Sequence, residues 1–226
     1  MVAALVLLLT VCINLVPFGL RREGRWLDGD WLLAWCLRHD LATQRLAVAA
    51  LYSAIEAGRR PRDLDERWVR LAALQRRDRR CSHEVVGDLL AFSCALDRGL
   101  VDEAGRLLAR TFAGRRLLPE AACAAVLVES AFFVARHRRR RGLAATLLEA
   151  AGPATIPLGK AHRERARAAI HLAAGEWAAA VDACDLALAT LDGISDMPAA
   201  VLASERDQDS TLRDAALAAA SAAAPQ

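Results

Sequence analysis

Four glycines recur at positions 58, 99, 142 and 175, each closing one long apolar-striped stretch and opening another. Glycine accepts the left-handed backbone conformation that ends a helix, so this recurrence divides the chain into helix pairs joined by tight turns. The last unit is the clearest. A helical run reaches Ala174, Gly175-Glu176-Trp177 follows, and Ala180, Val181, Cys184 and Leu188 then return three, four, seven and eleven residues after Trp177. That is the spacing of a helix with one buried face. The stretch from Gly99 to Ala104 repeats the arrangement, with Leu108 and Phe112 continuing the stripe after a helix expected over 84–96. Successive glycines lie 41, 43 and 33 residues apart, so the units are unequal in length.

Composition agrees with helices throughout. Alanine, leucine and arginine dominate, aromatics make up 5%, and β-branched residues occur mostly singly, which reads as an all-α chain. The 30 basic residues are offset by 27 acidic ones interspersed along the same helices, for a net charge of +3. No nucleic-acid partner is expected from such a balance. Lys160 is the only lysine, so arginine runs reflect a general bias as much as local function. Six cysteines (Cys12, Cys36, Cys81, Cys94, Cys123, Cys184) are widely separated, with no Cys-x-x-Cys pair among them. They read as reduced, buried small hydrophobes in a cytoplasmic environment rather than as a disulfide framework.

The unit around Gly175 resembles the second half of a tetratricopeptide repeat: glycine at the turn, an aromatic residue two positions on (Trp177) and alanine five positions on (Ala180). Gly99 and Ala104 match its glycine and alanine at the same offset. The resemblance implies a tetratricopeptide-like right-handed solenoid over residues 41–191, whose surface binds a protein partner. Only the last glycine spacing is close to that repeat's unit of about 34 residues, so the array is degenerate. Four consecutive hairpins suffice for an independent domain, because each unit buries its apolar face on its neighbours.

The first 20 residues differ in kind. From Val2 to Val16 the chain is apolar except for Thr10 and Asn14, and Pro17-Phe18-Gly19-Leu20 precede Arg21-Arg22. A helix of 20 residues spans about 30 Å, the thickness of a bilayer's hydrocarbon core. No basic residue precedes the apolar run and no small-x-small cleavage site follows it, so a membrane helix is expected over 1–20 rather than a secretory signal. Arg21, Arg22 and Arg25 place everything from about residue 21 onward in the cytoplasm. Asn14 inside the segment requires a protein partner for its amide. Residues 21–40 read as a loop followed by a helix that carries Asp28-Gly29 at its start.

The series Asn14-Leu15-Val16-Pro17-Phe18, a short loop and Asp28-Gly29 resembles the Asn-Leu-x-Pro...Asp-Gly signature of site-2-protease-type intramembrane zinc metallopeptidases. By that resemblance Asp28 is the third zinc ligand, while Asn14, Pro17 and Gly29 shape the membrane segment and its loop. A catalytic zinc needs three protein ligands and one open position for water. The family's His-Glu-x-x-His helix, which supplies two ligands and the general base, is missing, and His83-Glu84-Val85-Val86-Gly87 has glycine in the second histidine's place. The resemblance therefore implies the carboxy-terminal part, or a truncated relative, of such a metallopeptidase. It is not expected to be active alone, and zinc is expected only if an upstream or partner segment supplies the histidines. Without that supply the chain reads as a non-enzymatic adaptor with a simple anchor, and Asp28 as a helix N-cap.

No other catalytic pattern is present: there is no phosphate-cradling glycine loop, no Gly-x-Ser-x-Gly elbow and no histidine pair at metal spacing. Arg138, Arg139, Arg140 and Arg141 lie just before Gly142, where cations complement a helix carboxyl end and offer a docking patch to an acidic partner or anionic lipid. Residues 192–226 read as an alanine-rich tail, one frayed helix with a partly disordered end.

Overall fold

The computed structural model describes residues 40–74, 81–154 and 156–223, together with the backbone of two three-residue strands. Those strands, β1 (Leu20–Arg22) and β2 (Arg25–Leu27), pair antiparallel with Arg21 opposite Trp26. They occupy part of the span read from the sequence as a loop. Residues 1–19 of the expected membrane helix and the helix following Asp28 lie outside the described residues, while the membrane segment's last residue, Leu20, falls in β1. No helix among the described residues is long and apolar enough to cross a membrane.

The rest is helical: α1 (Asp40–Glu56), α2 (Glu66–Ala72), α3 (Ser82–Asp97), α4 (Val101–Gly114), α5 (Glu120–Arg138), α6 (Arg141–Ala150), α7 (Pro157–Ala174), α8 (Trp177–Asp192) and α9 (Ala199–Ala223). Neighbours in sequence pack as pairs, α1 with α2, α3 with α4, α5 with α6 and α7 with α8. First members of the pairs also meet: α1 packs on α3, α5 on α7, and α7 on α9. The link between α3 and α5 is an edge-to-face contact of Phe92 with Phe133, ring centroids 6.2 Å apart.

Small residues make these crossings close. Ala47, Ala72, Ala104, Ala144, Ala166, Ala180, Ala187 and Ala216 are all fully buried, so backbones approach where a larger side chain would hold them apart. In α4 the buried set Ala104, Leu107, Leu108 and Thr111 follows the i, i+3, i+4, i+7 pattern of a single inward face. Cys94 and Cys184 are buried in the same packing, which pushes their thiols up to about 11 and about 12 respectively. Cys81, Cys94, Cys123 and Cys184 are all free thiols.

The turns follow one rule with one exception to the expected positions. Gly58, Gly99 and Gly175 adopt φ of 88°, 73° and 80°. In each case the next amide reaches back to the closing turn: Arg59 N–H to the Ala54 carbonyl, Leu100 N–H to Ala95, and Glu176 N–H to His171. Between α5 and α6 a wrap one residue wider is made with Arg139 at φ 52°, Arg140 N–H donating to the Val134 carbonyl at 3.3 Å. Gly142 is not the turn residue; it sits in the first turn of α6. The apolar stripe of α5 ends at Ala135, and the chain reverses at the first opportunity after it rather than at the nearest glycine.

The carboxy-terminal stretch is helical, as expected, but packed rather than frayed. Residues 199–223 form one 25-residue helix, α9, that buries Leu202, Leu212 and Ala216 against α7 and α8. The packed array therefore continues beyond residue 191. Its middle reaches the start of the array: Arg60, in the loop after α1, lies 2.8 Å from Asp207 and 3.5 Å from Asp97.

Candidate functional site

The most unusual feature of the core is an arginine at its centre. Arg165 projects from α7 with its side chain 2% exposed, between Glu129 of α5 and Glu205 and Asp209 of α9. Its guanidinium donates to Glu129 at 3.1 Å and to Glu205, while its Nε stands 3.9 Å from Asp209. The same group lies 5.2 Å above the Phe132 ring. His162, one turn earlier on α7, places Nδ1 3.1 Å from Glu129 and Nε2 3.0 Å from Glu205. The second of these is a charge contact rather than an aligned hydrogen bond.

Charges removed from water are tolerable only when they compensate one another. Burial alone would depress His162, but Glu205 and Glu129 on either side of it prevail and push it up to about 9. Burial likewise opposes ionisation of Glu205, and Arg165 and His162 overrule it, holding that carboxyl well below the usual range. Asp209 is pushed up to about 6 by burial, which the more distant Arg165 does not offset. Two cations thus face two fully ionised carboxylates, and the third acid titrates near neutrality. Because the guanidinium fills the middle of the cluster, the site holds no room for a cation. Among the described residues no group of histidine, cysteine and carboxylate side chains could hold a metal ion. The cluster ties α5, α7 and α9 together, and nothing in it is placed to attack a substrate.

The second feature lies on the surface between α4, α5 and α6. Leu108, Ala109 and Phe112 of α4, Phe133 and Val134 of α5, and Leu143 and Leu147 of α6 enclose a groove of about 380 Å³. Its walls carry almost no hydrogen-bonding capacity: the Ser130 hydroxyl donates to the Val126 carbonyl at 2.7 Å. Gly105 forms part of the floor, where a Cβ would stand 3.0 Å from the Phe133 ring. Leu143 is 48% exposed at the edge. Arg138 leans over the Phe133 ring at 5.9 Å, with Asp102 3.7 Å away as its carboxylate neighbour. Arg115 stacks on Phe112 at 4.0 Å.

The residues singled out from the sequence fall in three places. Asn14, Pro17, Asp28 and Gly29 lie outside the described residues. Gly99 and Gly175 close helices, and Ala104 and Ala180 are wholly buried where the paired helices cross. Trp177 opens α8 with its ring 3.5 Å from where a Gly175 Cβ would be. Arg138 ends α5 and lines the groove, Arg140 lies beside it next to Leu143, Arg139 is the turn and borders a separate hollow with Gly175 and Trp177, and Arg141 begins α6. Glu129, His162, Arg165, Glu205 and Asp209 escape a reading of the sequence alone. Their one signal is spacing: His162 and Arg165 on one helical face, Glu205 and Asp209 on another, each face otherwise rich in alanine or leucine. Compared with family models, curated proteins and solved structures, the chain matches none.

Proposed function

We propose that this chain is a membrane-tethered helical-repeat scaffold that holds another protein. The observation that carries the reading is the groove between α4, α5 and α6: an apolar hollow rimmed by arginines, on a helix array whose buried charges serve packing rather than chemistry. The array is tetratricopeptide-like in this reading, a right-handed stack of helix hairpins. Supporting it are Ala104 and Ala180, buried five residues after turn glycines, and the contacts between first helices of neighbouring pairs. The tether is the apolar run from Val2 to Val16, followed by Arg21 and Arg22 on the cytoplasmic side.

The same amino-terminal residues supply the link to chemistry. Asn14, Pro17 and Asp28-Gly29 resemble the site-2-type metallopeptidase signature, so the scaffold is proposed as the carboxy-terminal part, or a truncated relative, of such an enzyme. Asp28 would contribute one zinc ligand, and the histidines would come from another segment. The scaffold function is tested by placing a photo-crosslinking residue at exposed positions of each helix in the full chain and recording adducts in cells. Adducts clustered on one face are expected; none at all, or adducts spread evenly over all faces, would overturn the reading. Zinc content of the purified chain, with and without Asp28→Asn, tests the metal assignment separately.

A further inference from the structure

We infer that the groove between α4, α5 and α6 is the docking site for an amphipathic segment of a partner protein, apolar along one side and acidic beside it. This rests on the scaffold reading above and names the partner chemistry that it leaves open.

The apolar half of the argument is shape. Phe112, Phe133, Leu143 and Leu147 line a hollow large enough for two or three side chains, and an exposed leucine at its edge is surface that water solvates poorly. The charged half is an imbalance. Arg140 is exposed beside the mouth and pairs with no carboxylate among the described residues, while Arg138, in the groove wall, has only the strongly exposed Asp102. Arg140 and Arg141 also open α6, where positive charge opposes the helix dipole and where no side chain caps the free amides. A sequence selected for stability alone would place an acid there. Carboxylates from a partner lying along the groove would meet both the arginines and the amides.

Charge also decides against the chain's own apolar segment as the occupant. Residues 2–20 contain no acidic residue and run into Arg21-Arg22, so they would bring cations to cations. A flat anionic membrane would satisfy the arginines but would leave a concave apolar hollow unfilled.

The test is selection of random 16-residue peptides displayed on phage against the full-length chain in detergent micelles, followed by fluorescence polarisation with the synthesised winners. Peptides that combine leucine or phenylalanine with aspartate or glutamate are expected. Their affinity should fall at least tenfold with Leu143→Asp and, separately, with the pair Arg138→Glu and Arg140→Glu, at unchanged helicity by circular dichroism. Basic or neutral winners would overturn the proposal, as would displacement of the winners by phosphatidylglycerol vesicles but not by phosphatidylcholine ones, which would assign the rim to a membrane. Winners that ignore both sets of substitutions would overturn this groove while leaving a protein-binding array intact; no winners at all would overturn both.

Discussion

Arg165 shows how one side chain can bind three helices. With its guanidinium held by Glu129 and Glu205, α5, α7 and α9 share a contact that no pair of them could make alone. Arg165→Met should destabilise the protein by about 3–5 kcal/mol in chemical denaturation, because it leaves buried carboxylates uncompensated. His162 gives the cluster a pH signature. Its folded value of about 9 exceeds its ordinary value of 6.5, so its stabilisation is complete below about pH 6.5 and is lost as pH rises through about 9. Each tenfold gain in proton affinity on folding contributes about 1.4 kcal/mol, so the loss is on the order of 3 kcal/mol. Asp209, raised from 3.8 to about 6, weakens the fold earlier, as pH rises from about 4 to 6, since its ionised form is disfavoured. Melting temperature should therefore fall between about pH 6.5 and 9 through His162, and His162→Gln should flatten that fall; an unchanged profile in this variant would remove His162 from the account.

At the scale of elements, one close approach sets the packing of α2 on α3. A Cβ added at Gly87 in α3 would stand 2.0 Å from the Ala72 carbonyl oxygen at the end of α2, so Gly87→Ala should cost about 1–3 kcal/mol by forcing those helices apart. Thermal denaturation measures it directly. The turn at Arg139 predicts the opposite sign. A residue with a Cβ held at φ 52° is strained by about 1 kcal/mol or more, and Arg139→Gly should raise stability by about 0.5–1 kcal/mol. Gly142→Ala should be harmless or mildly stabilising, since nothing lies within 4 Å of its added Cβ and it is already helical. These two substitutions separate the glycine that marks the turn in sequence from the residue that makes it. Gly99 and Gly175 are legible because each follows directly on the end of an apolar stripe; at 142 the stripe has ended several residues earlier.

For the molecule as a whole, α9 is the element whose packing the sequence conceals. Its alanines and scattered charges carry little amphipathic signal, yet it covers Cys184 and Leu191 of α8 and supplies two of the three acids around Arg165. Ending the chain after Pro198 should abolish cooperative unfolding and promote aggregation. A truncated protein that melts as sharply as the full chain would show α9 to be dispensable. The bond of Arg60 with Asp207 joins the first loop to this last helix, but Asp207 is exposed, so Arg60→Ala should cost no more than about 1 kcal/mol.

The periodicity of apolar residues, the scarcity of aromatic and β-branched side chains and the turn glycines at 58, 99 and 175 determine the paired helices from residue 40 onward, because helix formation and helix ending are local events read over a few residues. The arginine run is visible for the same reason: four adjacent residues need no fold to be adjacent. What lies beside that run, an apolar groove assembled from α4, α5 and α6, and what neutralises Arg165, acids 36 and 40 residues away in sequence, were decided only when the helices packed. Contacts across such separations follow from which faces meet, and no local pattern encodes that.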